Sequence, residues 1–181
     1  VTGSRMYALE YTYCLFYHNT VVLDNPASTS GTTAGFYGYG AGTEVRNNIL
    51  DIRRAGSGTK YCVYFSSTAT AASNNNNLYM AAPAGTNYIG WYVSGFSTLT
   101  AWQGANSGSW DQQSTNVDPL YVNPTGGNYK PTAVALDNIG TPLGVLDDIL
   151  NLSRSLTTPD AGAYEFAVSP YDVGAEALIT P

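Results

Sequence analysis

The sequence predicts an all-β fold in which short strands stack into a solenoid. Three observations predict it: an internal repeat, a scarcity of charge, and the absence of long runs of helix formers. The repeat is anchored on Asn19, Asn48 and Asn77, spaced 29 residues apart (48 − 19 and 77 − 48). These asparagines sit in Tyr17-His18-Asn19-Thr20-Val21-Val22, Arg46-Asn47-Asn48-Ile49-Leu50-Asp51 and Asn75-Asn76-Asn77-Leu78-Tyr79-Met80. Charged residues make up 11% of the chain, against about 25% in a typical soluble domain. Asn, Ser, Thr, Gly and 15 tyrosines fill the polar positions, a composition that suits sheets and turns.

In the same gapless register, Ala34-Gly35-Phe36 falls on Val63-Tyr64-Phe65 and on Tyr92-Val93-Ser94. Each unit therefore reads as two short strands separated by small-residue turns at 28–34, 55–59 and 81–86. Stacked units bring equivalent residues about 4.8 Å apart. An asparagine at a corner can then bond its neighbours above and below, and it tolerates left-handed backbone. The register predicts an amide ladder of Asn19, Asn48 and Asn77, and apolar columns of Val21, Leu50 and Tyr79 and of Phe36 and Phe65. Cys14 and Cys62 lie 48 residues apart (62 − 14), which is not a multiple of the repeat, so free thiols are expected rather than a stacked disulfide.

Beyond the third unit the pattern changes. Ser97 to Gln103 reads as one short helical turn, followed by Asp118-Pro119-Leu120-Tyr121-Val122-Asn123-Pro124, Gly127-Asn128-Tyr129 and Asp137-Asn138-Ile139-Gly140. The asparagine–aliphatic rungs, the "STLTAW" segment, "DPLYVNP" and the closing "PDAGAYEF" occur in that order. On these pieces, from Tyr11 to Phe166, the chain resembles right-handed parallel β-helix repeat proteins, the pectate-lyase-like superfamily as found in secreted proteins of Bacteroidetes. The resemblance implies the C-terminal part of a right-handed parallel β-helix over residues 1–166, with a cap from about residue 97 that closes the terminal sheet edge. Residues 167–181 resemble a linker or the first strand of an immunoglobulin-like module. The chain also resembles cargo of the type IX secretion system. That implies a piece of a larger protein, secreted or on the cell surface and outer-membrane associated, with the export machinery as a partner.

The net charge of −6 and pI of 4.4 argue against nucleic acid and anionic lipid as partners. No apolar run is long enough to span a bilayer. A single histidine, His18, and the lack of a CxxC pair exclude a multi-histidine or zinc-finger metal site, and no cofactor is expected. The register sets Asp24 beside Arg53, with Asp51, Arg54 and His18 near that edge. No carboxylates fall on equivalent positions, and the family's catalytic Lys/Arg/Asp motifs have no match, so no catalytic residue is assigned. Tyr37 and Tyr39, set among glycines in "GFYGYG", are expected to offer open ring faces to a sugar. Tyr64, Trp91, Trp102 and Trp110 read as packing. The expected function is a structural or adhesive segment that binds polysaccharide or cell-surface glycans through Asp24, Arg53, Tyr37 and Tyr39. The alternative is a carbohydrate-active enzyme, a polysaccharide lyase or glycoside hydrolase, working at the Asp24/Arg53/His18 edge.

Overall fold

A computed structural model describes residues 6–7, 10–11, 13–39, 41–66 and 71–167. Within them, short strands build three sheets. The first holds β1 (Met6–Tyr7), β2 (Glu10–Tyr11), β5 (Thr33–Gly38), β8 (Lys60–Phe65), β11 (Asn87–Tyr92) and β12 (Ser94–Phe96). The second holds β3 (Leu15–Tyr17), β6 (Thr43–Arg46) and β9 (Ala71–Asn74). The third holds β4 (Thr20–Leu23), β7 (Ile49–Ile52) and β10 (Asn77–Met80). From β3 on, the chain visits second, third and first sheets in turn, and each strand pairs in parallel with the one a circuit earlier. Only β12 runs antiparallel, along β11. The arrangement is all-β, built of stacked parallel strands, and compatible with a β-helix.

The unit has three strands, not the two that the sequence suggests, and its length is not constant. Leu15 pairs with Glu44 and Thr20 with Ile49, in keeping with a step of 29. The next step on those sheets is one residue shorter, with Thr43 on Ala71 and Ile49 on Asn77. On the first sheet it is shorter again, with Thr33 on Lys60 and Lys60 on Asn87. The corners between the third and first sheets shrink from 24–32 to 53–59 to 81–86, and the corner between the first and second sheets grows by one residue from 39–42 to 66–70, which offsets part of the loss. Three expectations are corrected. The third member of the ladder is Asn76, while Asn77 takes the place of Thr20 and Ile49. Leu78, not Tyr79, completes the column of Val21 and Leu50, and Tyr79 lies level with Val22 and Asp51. Ala34 pairs with Tyr61 and Phe36 with Val63, so Phe36 and Phe65 meet edge to face at 6.1 Å rather than as register mates.

The corner between the second and third sheets is the same in every circuit. A left-handed residue (His18, Asn47 or Asn75, φ 54°, 56° and 57°) precedes an asparagine (Asn19, Asn48 or Asn76). Asn48 Oδ1 accepts from the Asn19 backbone N–H at 2.9 Å and its side-chain amide at 3.1 Å. Asn76 Oδ1 accepts from Asn48 at the same two distances. The Asn48 amide also donates to the Phe16 and Arg46 carbonyls. Inside the circuits Phe36, Val45, Leu50, Ile52, Val63, Phe65 and Leu78 are fully buried, each side chain stabilising the fold by about 1.5–3 kcal/mol. Cys62 is in this core, Cys14 is half-buried, and both are free thiols.

The predicted helical turn is α1 (Leu99–Gln103), capped by the Thr98 side chain. It sets Trp102 over Gly90, where a Cβ would lie 2.3 Å from the indole, so only glycine leaves room. Asp111 then closes the ladder: its buried carboxylate accepts from Asn76 Nδ2 (3.0 Å), Ser73 Oγ (2.7 Å), Trp102 Nε1 (2.7 Å) and Ser114 Oγ (2.5 Å). The segment up to Thr115 thus lies against β9 and β10, and the later pieces run elsewhere. After Thr115, which bridges to Asn77, the chain turns back along the outside of the third sheet. The Asn75 amide donates to Ile139 O (2.8 Å) and the Asn47 amide to Thr141 O (2.7 Å). Gly162 N–H donates to Asn47 O (2.8 Å), and Ala163 N–H to Thr20 Oγ1 (2.9 Å). Ile49 points outward into a second apolar cluster with Ala133, Leu136, Ala161 and Phe166. The immunoglobulin-like start expected at 167–181 lies, apart from Ala167, outside the described residues.

The corrected register is testable by stability. Leu78→Ala should cost about 2–5 kcal/mol in denaturant unfolding, and Tyr79→Phe less than about 1 kcal/mol. The reverse order would restore the uniform 29-residue step.

Candidate ligand cleft

Strand alternation sends Val21, Leu50 and Leu78 inward and Val22, Asp51 and Tyr79 to the outer face of the third sheet. The returning chain crosses this face and leaves a cleft of about 290 Å³, lined by Val22, Asp24, Arg53, Asp118, Tyr121 and Tyr129 among others. Arg53 is its central group. Nε donates to both oxygens of Asp51 (2.9 and 3.0 Å) and Nη2 to Asp118 Oδ1 (2.7 Å). The guanidinium also lies 5.0 Å from the centre of the Tyr79 ring, whose hydroxyl donates to Asp118 Oδ2 at 3.2 Å. Asp51 is fully buried, whereas the Arg53 and Asp118 side chains keep about a third of their surface open.

The environment sets these groups apart. Burial pushes Asp51 up to about 6 against the pull of Arg53. Burial also opposes ionisation of Asp118, but the Leu120 N–H and Arg53 hold its carboxyl below the usual range. Burial first, and then the neighbouring Asp51 carboxylate, push the Tyr121 phenol well up. The cleft thus holds an ionised Asp118 and an arginine already shared by two carboxylates.

Asp24 and Arg53 do come together. Arg53 N–H donates to Leu23 O (2.9 Å), one position from Asp24, and both side chains line the cleft. Arg53 forms its ion pairs with Asp51 and Asp118 rather than with Asp24. The other residues of that expected edge are elsewhere. Arg54 points the opposite way from Arg53 and is buried in the corner, donating to Ser30 O (2.9 Å), Gly31 O (3.3 Å) and Thr33 Oγ1 (2.5 Å). His18 is buried at the other end of the third sheet. Its Nε2 lies 2.9 Å from the Asn47 amide nitrogen, which can only donate, and its Nδ1 lies 3.1 Å from Asp160 O, which can only accept. The ring is therefore neutral with its proton on Nδ1. Burial first, then Arg154, lower its pKa to about 4.

Tyr37 is on the first sheet and Tyr39 lies just past the end of β5; neither lines the cleft. Tyr37 is sandwiched between Tyr7 (4.6 Å, 22°) and Tyr64 (4.3 Å, 4°), and Trp91 continues the stack (6.0 Å from Tyr64, 3°). Both faces of Tyr37 are covered by other rings, so the open face expected there is absent. Tyr39 is 46% exposed and meets Tyr37 edge-on at 6.1 Å. Trp102 and Trp110 are buried in the core. Asp118, Tyr121 and Tyr129 were not assigned from sequence, because nothing in it says that the segment carrying them folds back onto Arg53. The Asp51/Arg53 pair had a signal, since residues two apart on a strand share a face.

Among the described residues, no group of three or more His, Cys, Asp or Glu could hold a metal ion, and no helix is long and apolar enough to cross a membrane. Comparison with protein-family models, with curated proteins and with solved structures returns no match. The fold and the site define the class as an all-β protein of stacked parallel strands with a cleft beneath its returning tail.

Two outcomes follow from these environments. His18 is the only histidine, so its ring protons can be followed by NMR without ambiguity. They should titrate with a midpoint near 4, and a midpoint at or above 6 contradicts the buried neutral ring. Because the folded pKa is lowered from 6.5, the unfolded chain binds the extra proton first. His18 then contributes stability that is present above pH 6.5 and lost as pH falls towards 4. Arg53→Ala leaves Asp51 buried without its partner and should cost about 3–5 kcal/mol. A loss below 1 kcal/mol would mean that Arg53 does not stabilise the buried Asp51 carboxylate.

Proposed function

We propose that this chain is a right-handed parallel β-helix segment, of the pectate-lyase-like kind, in a larger protein that is secreted or on the cell surface. It serves as a structural and adhesive element, and it engages glycans in the cleft between the third sheet and the returning tail. The observation that carries the glycan reading is the placing of Asp24 and Arg53 on adjacent rungs at a cleft walled by Tyr121 and Tyr129. A sugar presents hydroxyls at its rim and C–H faces above and below, so it is held by fixed donors and acceptors beside an aromatic wall. The low charge and the extended outer faces suit a surface role, and the family-like order of sequence pieces supports export by the type IX route.

The cleft favours binding over cleavage. Hydrolysis of a glycosidic bond needs two carboxyl groups that reach the bond, one of them able to give up a proton. Asp51 has the raised pKa of an acid, but it is fully buried and both its oxygens are taken by Arg53.

Pull-down on insoluble polysaccharides, followed by a soluble glycan array, tests this reading. Binding should fall at least tenfold in Tyr129→Ala and Asp24→Ala, with Tyr39→Ala near the starting level. Retention on no glycan, or equal retention by the two cleft variants, would overturn it.

A further inference from the structure

We infer that the cleft selects sugars without a carboxylate and turns away uronic acids. The inference rests on the glycan reading above and names its ligand class: a pyranose offering two neighbouring hydroxyls and no acidic group. It follows from which polar atoms remain free and from where the cations of the chain have gone.

Arg53 has one nitrogen to spare. Nε is held by Asp51 and Nη2 by Asp118, while Nη1 makes no hydrogen bond among the described residues. Asp24 is exposed, and its carboxylate likewise bonds no described residue. The two side chains occupy adjacent rungs and line the same cleft. A free N–H donor next to a free carboxylate matches neighbouring hydroxyls, one accepting from Arg53 and the other donating to Asp24. Tyr129, packed edge-on against Tyr121 at 5.3 Å, lines the cleft beside them.

A carboxylate on the sugar meets a different field. Asp24 and Asp118 line the cleft with Arg53, the buried Asp51 lies behind Arg53, and no other cation among the described residues lines it. Arg46 pairs with Glu44 on the second sheet, and Arg154 pairs with Glu165 in the tail. Arg54 is buried among carbonyls, and Lys60 donates to Gly56 O (2.7 Å), Gly58 O (3.1 Å) and Ala84 O (2.7 Å). Lys130 follows Tyr129 but does not line the cleft. Arg53 is already shared by two carboxylates, so a third gains no unpaired cation and is repelled by Asp24. Repulsion of this size near a surface weakens binding by about tenfold, and salt screens it.

The test is calorimetric titration of the whole chain with neutral oligosaccharides (cello-, xylo- and chito-oligomers) and with oligogalacturonate and oligoglucuronate. At low salt a neutral series should bind at least tenfold tighter than either uronate. Raising the salt, or the substitution Asp24→Asn, should narrow that ratio. Equal or tighter binding of a uronate overturns the selectivity while leaving the glycan reading in place. Failure of every oligosaccharide, neutral and acidic, overturns both.

Discussion

The corner between the second and third sheets turns on two residues, a left-handed one and an asparagine, and the rest of the molecule depends on that pair. The asparagine amide points in and bonds its equivalents on neighbouring circuits, from Asn19 through Asn48 to Asn76. A buried amide left unbonded costs about 1–3 kcal/mol, so each rung keeps the next at hydrogen-bond distance. The left-handed residue points out. His18, Asn47 and Asn75 form a second column, and its polar groups seize the backbone of the returning chain at Asp160, Thr141 and Ile139. One turn thus stacks the circuits on its inner side and fastens the tail on its outer side. The same returning chain forms a wall of the cleft at the far end of the third sheet, where Asp118 meets Arg53.

Charge is used sparingly on this surface but deliberately inside. Arg54 and Lys60 are fully buried and donate to carbonyls of the stacked corners. Asp111 performs the opposite task, ending the amide ladder with a group that only accepts. A circuit of small turns leaves many inward carbonyls, and a cation with several donors meets them better than a neutral side chain does. Close stacking of those turns leaves no room for a side chain at Gly58. A Cβ on Gly58 would lie 1.8 Å from the Gly31 carbonyl oxygen.

The asparagine column was legible in the sequence because the corner has constant length, but its third member was not. Asn75, Asn76 and Asn77 are consecutive, and a gapless repeat selects the wrong one. Nor was the third strand of the unit apparent. β3, β6 and β9 are short, and β6 (TEVR) and β9 (AASN) carry little apolar bulk, so they merge with the turns. The meeting of Asp24 and Arg53 could be read because that step of the stack does measure 29 residues. Tyr37 stacks on Tyr64 through the shorter step of the first sheet, which hid the covering of its faces. Asp118 and Tyr129 were invisible as site residues, since the direction of the tail is set by hydrogen bonds to backbone, which no side-chain pattern announces.

The central claim is that the tail doubles back to the first described circuit and does not remain at the capped end. Nuclear Overhauser contacts of the His18 ring test it most directly, since no other imidazole can be confused with it. Cross-peaks from that ring to residues 160–162 are the result the account requires. A His18 ring that sees only its own and the adjacent circuit, with residues 137–163 in contact with the cap at 99–115 instead, would contradict it and remove the cleft.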